Sequence, residues 1–177
     1  EMSSSIGDGV HIAEVSRDRK RLVVVSGRGS LQVWDLVKHR RESEILLRDP
    51  IPNHVKLSAG GNRLMVAYAD HVELLSISPT AAITPIHRLP LTTGIRQIDF
   101  AKVGDTVLLT LDSLGNLSAW EVPNPDPTLG NNNSGSPSTL RAVPVAEGVA
   151  SFHSADSGNS ILIIGTDAQA QRIDVMQ

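Results

Sequence analysis

The sequence predicts an all-β protein built from about four copies of one four-stranded antiparallel sheet. Short apolar runs, alternating or continuous, are separated by turns rich in Gly, Asp, Asn and Ser, which is the pattern of strands joined by hairpins. No stretch carries a sustained helical period. The same order of runs and turns returns after about forty residues, a period typical of repeat architectures.

Each copy contains three strand-like segments in a fixed order. The continuous apolar runs, such as residues 22–25, indicate middle strands that are buried on both faces. Trp34, Leu75, Trp120 and Ile173 hold the same place in the third strand of their copies. The predicted strands are 12–15, 22–25 and 31–36 in the first copy; 55–57, 64–68 and 72–77 in the second; 95–100, 107–111 and 117–122 in the third; and 149–152, 161–165 and 170–175 in the fourth.

A fourth strand is expected between copies, and this completes the unit of a β-propeller blade. The candidates are residues 44–47, 86–89 and 140–145. The predicted repeats within a single domain, 1–177, are 10–50, 51–91, 92–146 and 147–177, of which the last is an incomplete blade. Residues 123–138 are rich in Pro, Gly, Asn and Ser, which predicts a flexible loop inserted in the third repeat.

Two segments resemble the third strand of a WD repeat: GSLQVWDL, which begins at Gly29, and GNLSAWEV, which begins at Gly115. The resemblance covers four copies in register and nearly the whole chain. It implies a divergent WD-repeat-like β-propeller, and it leaves other propeller families open as alternatives. The sequence departs from the family in three ways: only the first copy has Trp-Asp, no Gly-His dipeptide is present, and Arg28 stands where the family has a turn aspartate. We therefore expect the family's buried hydrogen-bond network to be missing.

About four blades are fewer than the ring of about seven that the resemblance implies. An open arc would expose apolar faces and unpaired strand edges, which natural proteins cover. We therefore expect this chain to be part of a larger ring, whose missing blades come from another chain, from a detached segment of the same polypeptide or from a second copy. The alternative is a compact four-bladed monomer.

Neither the composition nor the motifs of the sequence indicate a catalytic site. The chain has 177 residues, no cysteine and six scattered histidines, and it carries no metal-binding His or Cys spacing, nucleophile elbow or phosphate-binding loop. We therefore predict a protein that is not an enzyme and needs no cofactor or metal. The alternative that the sequence leaves open is a catalytic or small-molecule-binding propeller, with carboxylates converging at its central axis.

The charged residues are distributed unevenly along the chain, because seven basic residues are concentrated in the first repeat. In a four-stranded blade, the turn between the first and second strands and the turn between the third and fourth lie at the same end of the sheet. The sequence thus places on one rim of the first blade Arg17, Arg19, Lys20, Arg21, Lys38, Arg40 and Arg41, diluted by Asp18 and Glu42. Since the net charge of the whole chain is −3, any attraction for an anion must be local.

This cluster is either an ordinary solvated surface or a site for an anionic partner. Arginine suits acidic peptides, phosphoinositides and nucleic acid alike. Aromatic residues for base stacking are absent nearby, which disfavours nucleic acid, and an acidic protein partner is preferred. The chain is accordingly predicted to be a non-catalytic scaffold that docks other protein chains. Its first residues carry neither the basic nor the apolar region of a signal peptide, and no apolar run is long enough to span a bilayer, which favours an intracellular location, cytoplasmic or nuclear.

Overall fold

A computed structural model of the chain describes residues 9–47, 51–101, 106–122, 142–154 and 160–174. All regular structure in these residues is β-strand. The predicted loop 123–138 lies outside them. The strands are β1 (Val10–Val15), β2 (Arg21–Ser26), β3 (Ser30–Asp35), β4 (Arg40–Leu46), β5 (His54–Leu57), β6 (Arg63–Ala67), β7 (His71–Ile77), β8 (Ile83–Pro90), β9 (Ile95–Ala101), β10 (Val107–Asp112), β11 (Leu117–Glu121), β12 (Ala142–Ala146), β13 (Val149–Ser154), β14 (Ser160–Gly165) and β15 (Ala170–Asp174).

The strands form four sheets in which neighbours in sequence are neighbours in space. Three sheets have four strands, β1-β2-β3-β4, β5-β6-β7-β8 and β9-β10-β11-β12, and the fourth, β13-β14-β15, has three in the described part of the chain. The pairing is antiparallel. The prediction of an all-β fold built from repeated antiparallel sheets is therefore confirmed.

The register of the sheets confirms the alignment of the four copies. Each of the four marker residues lies opposite the second residue of the preceding strand; the pairs are Trp34 with Leu22, Leu75 with Leu64, Trp120 with Leu108, and Ile173 with Ile161. Both indole nitrogens have partners inside their own sheet. Trp34 Nε1 donates to Gln32 Oε1 at 3.2 Å, and Trp120 Nε1 donates to Thr110 Oγ1 at 2.9 Å. These bonds satisfy the polar ends of two large apolar side chains.

The second strands of the first three sheets are buried on both faces, as their continuous apolar sequences predict, whereas Leu162 in β14 is exposed. Every residue of β6 is buried, as are the first five residues of β10, and Val23 and Val25 in β2 are fully inaccessible. The first and fourth strands, β1 and β4, are mostly exposed or half-buried. In the first sheet, the buried apolar residues therefore lie mainly in its two middle strands, β2 and β3.

The chain forms two compact units, Glu1–Ile98 and Asp99–Gln177. The first unit has a core drawn from the first two sheets, with members that include Val25, Leu31, Leu64 and Leu75. The second unit has a core of its own that includes Leu109, Leu117, Phe152 and Ile161.

Candidate binding surface

The two turns that carry the basic residues meet at one end of the first sheet. The backbone N–H of Leu36, at the end of β3, donates to the carbonyl oxygen of Lys20, just before β2, at 2.8 Å. The structure therefore brings residues 16–20 and 36–41 together, as the sequence predicted. We call the six exposed cations of this end the basic rim; they are Arg17, Arg19, Lys20, Lys38, Arg40 and Arg41.

The first of these turns is organised by Ser16 and Asp18. Ser16 Oγ donates to Asp18 Oδ1 at 2.6 Å and accepts the backbone N–H of Arg21 at 2.9 Å. Asp18 Oδ1 also accepts the N–H of Lys20 at 3.1 Å. Burial would raise the pKa of Asp18, but the hydrogen bonds from Ser16 and Lys20 outweigh it and hold that pKa below its usual range. Arg19 has a left-handed backbone, with φ of 59°, and its side chain is exposed.

The second turn is organised by Asp35. Its Oδ1 accepts the backbone N–H groups of Val37 and Lys38, each at 2.8 Å. Lys38 Nζ lies 2.8 Å from Asp35 Oδ2 and 3.3 Å from Glu42 Oε1. The side chain of Lys38, more than any other group, lowers the pKa of Asp35 to about 2, and the two carboxylates together raise the pKa of Lys38. Lys38 is thus already paired with two carboxylates of the chain itself.

The ion pairs of the rim distinguish Arg41 and Lys20 from Arg19 and Arg40. Arg41 Nη1 pairs with Glu44 Oε2 at 2.6 Å, and Lys20 Nζ lies 4.0 Å from Asp18 Oδ2. By contrast, Arg19 and Arg40 have no ion pair with any described residue, and both side chains are exposed. A carboxylate arriving from outside would find these two guanidinium groups without first breaking an internal pair.

Arg21 does not belong to the rim, and this corrects the prediction from the sequence. It is the first residue of β2, and its half-buried side chain reaches the second sheet. Arg21 Nη1 donates to the carbonyl oxygens of Gly61 at 2.8 Å and Ile77 at 3.4 Å, and Nη2 donates to that of Ser78 at 3.0 Å. Its guanidinium joins two sheets, because these carbonyls lie at the end of the second sheet nearest to it.

Gly61 is fitted to this arginine. It has φ of +70°, and a Cβ atom at this position would lie 3.1 Å from Arg21 Cδ and 3.2 Å from Arg21 Cβ. The backbone N–H of Asp18 also donates to the carbonyl oxygen of Ala59 at 3.1 Å, so the first turns of the two sheets lie against each other. One repeated signal in the sequence points to the arginine: Ser16 and Arg21 have the same spacing as Ser58 and Arg63, and Ser58 Oγ accepts the N–H of Arg63 at 3.0 Å.

A buried histidine in the second sheet is a further feature that sequence reasoning missed. His71 stacks on Tyr68, with ring centroids 4.5 Å apart, and its Nδ1 lies 2.6 Å from Asp70 Oδ1 and 3.2 Å from Arg88 Nη2. The hydrogen bond with His71 lowers the pKa of Asp70. Only the aromatic residue three positions before His71 hints at its burial. Within the described ranges, no group of three or more His, Cys, Asp or Glu side chains could hold a metal ion, and no helix is long and apolar enough to cross a membrane.

Several solved structures are similar to this chain. It aligns with 99% of its length to the Cps50 (Swd1) β-propeller domain of Myceliophteria thermophila, at a TM-score of 0.71 and 11% identity, and covers 55% of that chain. The WD40 domain of SCAP from fission yeast aligns at a TM-score of 0.68 and 12% identity over 99% of this chain and 44% of the other. The N-terminal domain of Nup159 aligns at 0.62 and 15% identity, over 96% of this chain and 42% of the other.

These likenesses establish the fold, which is that of a WD40-like β-propeller. The chain spans about half the length of the solved structures it matches. No protein-family model matches the sequence. No curated protein matches it either.

Proposed function

We propose that the chain is a non-catalytic interaction scaffold, a propeller segment that docks other protein chains, and that its basic rim binds an acidic segment of a protein partner. The observation that carries the proposal is the exposed pair Arg19 and Arg40 at the end of the first sheet where two turns meet. Exposed guanidinium groups that have no carboxylate partner among the described residues suit bidentate recognition of carboxylates.

The comparisons support the scaffold role at the level of the fold. Nup159, one of the similar propellers, has been solved in a structure of Dbp5 bound to Nup159 with Gle1, IP6 and ADP; this chain aligns with it at a TM-score of 0.62 and 14% identity, covering 43% of it. We further propose that the ring is completed by blades from outside this chain. The support is that the chain spans 42% to 55% of the propellers it matches.

A protein is a better candidate partner than nucleic acid. The rim carries carboxylates among its cations, Asp18, Asp35 and Glu42, which would repel a continuous phosphate backbone. The described residues of the two rim turns include no aromatic side chain other than His39, whereas proteins that bind single strands stack bases on aromatic rings. A short acidic peptide could place its carboxylates at Arg19 and Arg40 alone. We propose that the partner is an intracellular protein that carries a short acidic segment.

The test is the binding of an acetylated hexaglutamate peptide to the full chain, measured by fluorescence anisotropy. We expect the double variant R19E/R40E to weaken binding at least tenfold, and an increase of salt from about 0.1 M to about 1 M, which shortens the Debye length from about 10 Å to about 3 Å, to weaken wild-type binding as well. The matched control is Arg28→Glu, an exposed arginine at the opposite end of the same sheet. If R19E/R40E and R28E bound the peptide equally well, the basic rim would not be the site that binds acidic segments.

A catalytic or small-molecule-binding propeller with a site at the axis is the alternative hypothesis. It is distinguished from a scaffold by turnover or by saturable binding in a metabolite screen against the full chain. A hit that survives R19E/R40E and competes with no protein partner would favour this alternative.

A further inference from the structure

A cavity of about 290 Å³ lies within the second unit, between the third and fourth sheets. Its walls are apolar: Val107 and Ile161 are buried, and Ala119, Val145 and Ile173 are half-buried. At its mouth stand two exposed carboxylates, Glu121 and Asp174. Since small-molecule ligand pockets span roughly 300–1,000 Å³, this volume suits one or two side chains rather than a cofactor.

The repeat explains why a cavity lies here. Val107 is the first residue of β10 and pairs with Glu121, just as Arg21 is the first residue of β2 and pairs with Asp35. In the first unit, the long arginine side chain crosses to the next sheet and bonds three of its carbonyl oxygens. Valine has no group that can reach that far. The third repeat thus keeps the acidic partner position of the first and lacks its arginine.

Among the described residues, the negative charge at the mouth of the cavity is only weakly compensated. The side chain of Glu121 has no ion pair or hydrogen bond with any described residue. Asp174 lies 3.8 Å from Arg172 Nε, and both side chains are largely exposed, so this pair is a weak one. No basic residue is among those that line the cavity in the described part of the chain. Apolar walls beneath two carboxylates match a side chain that has an apolar stem and a charged head.

We propose that this cavity binds an arginine side chain of a partner peptide. The stem lies against Val107, Ile161 and Ile173, and the guanidinium pairs with Glu121 and Asp174. The partner arginine thereby takes the place between two sheets that Arg21 holds in the first unit. The site is separate from the basic rim and takes a partner of the opposite charge, so its failure would leave the proposed rim interaction standing.

The experiment measures binding of the acetylated, amidated tripeptide Leu-Arg-Leu to the full chain by isotope-labelled NMR titration. The same tripeptide with citrulline, the neutral isostere of arginine, is the control for shape. We expect the arginine peptide to shift the amide signals of residues 107, 121, 161 and 173, and the citrulline peptide to bind at least fivefold more weakly. No binding of the arginine peptide, or equal binding of both peptides, would overturn the proposal.

Two variants locate the interaction. Glu121→Gln together with Asp174→Asn keeps shape and removes charge, and we expect at least a fivefold loss of affinity for the arginine peptide with no change for the citrulline peptide. Glu147→Gln, at an exposed carboxylate of another cavity in the same unit, should leave both affinities unchanged. Val107→Arg should fill the site with the chain's own arginine and block the peptide. Undiminished binding by the charge-removing double variant would overturn the proposal even if Val107→Arg fails to fold.

Discussion

Arg21 Nη1 donates a hydrogen bond of 2.8 Å to the carbonyl oxygen of Gly61, forty residues away in the sequence and in the next sheet. Gly61 leaves just enough room for the arginine stem, with 3.1 Å between Arg21 Cδ and the place where a Cβ would be. The two residues fix the contact between the first two sheets. This contact gives Arg21 a structural role, in contrast to the exposed cations beside it.

Replacing Arg21 by alanine should destabilise the first unit. Three carbonyl oxygens of the second sheet would lose a charged donor, and hydrogen bonds to charged groups contribute about 1.5–3 kcal/mol. We expect a decrease of about 2 kcal/mol in the free energy of unfolding, measured by urea denaturation. Arg21→Lys should recover only part of it, because a lysine ammonium lacks the planar fork that reaches several acceptors at once.

The control for this prediction is Arg19→Ala, two residues away. Arg19 is exposed and has no ion pair among the described residues, so its removal should change the free energy of unfolding by less than about 0.5 kcal/mol. If R21A were no more destabilising than R19A, the contact between the sheets would not depend on the arginine.

Gly61 and its neighbour Gly60 offer a matched pair of substitutions. Gly61→Ala adds a Cβ against Arg21 and Ser16 at a position where φ is +70°, which side chains adopt at a cost. A Cβ at Gly60 would meet nothing within 4 Å. We expect G61A to lower the free energy of unfolding by about 1–2 kcal/mol and G60A to leave it nearly unchanged. Thermal denaturation followed by circular dichroism would measure both, and equal midpoints would refute the close fit.

The stability of the turn that Asp35 organises should depend on pH in the acid range. Its pKa is lowered from 3.8 to about 2 in the folded chain, first of all by the side chain of Lys38. A carboxyl group with a lowered folded pKa contributes stability that is present above its unfolded pKa and lost as the pH falls through the folded value. The contribution of Asp35 should therefore be complete above about pH 4 and vanish towards about pH 2.

The variant Asp35→Asn tests this dependence. Its midpoint of thermal unfolding should lie below that of the wild type at neutral pH, and the difference should shrink as the pH falls from about 4 to about 2. The measurement is calorimetry across that range. A difference that stays constant with pH would mean that the charge of Asp35 does not stabilise the turn.

The strands were predictable because their signals are local. Alternating apolar residues and polar turns locate each strand, and the equivalence of Trp34, Leu75, Trp120 and Ile173 follows from the repeat alone. The spacing that Ser16 and Arg21 share with Ser58 and Arg63 marks the position of Arg21 but not the path of its side chain, because an arginine at the start of a strand looks the same whether it faces water or a carbonyl in another sheet. The burial of His71 depends likewise on a fold-level contact, its stacking on Tyr68.

The charges of the rim were predicted only as a group. The positions of the cations in two turns place them at one end of the first sheet. Which cation pairs with which carboxylate depends on the conformations of their side chains. Lys38 lies between Asp35 and Glu42, and Arg41 lies beside Glu44, whereas Arg19 and Arg40 have no ion pair with a residue that the structure describes. Sequence spacing therefore predicted which cations lie together, and the structure shows which of them pair with described carboxylates.

The most direct test of the central claim, that this propeller segment docks other chains, is the mass of the chain alone in solution, measured by light scattering after size exclusion. We expect a mass of two or more chains, or aggregation that a co-expressed partner relieves, because the blades would be completed from outside. A stable, monodisperse monomer of 18.9 kDa would contradict this part of the account, and the four sheets would then be sufficient by themselves.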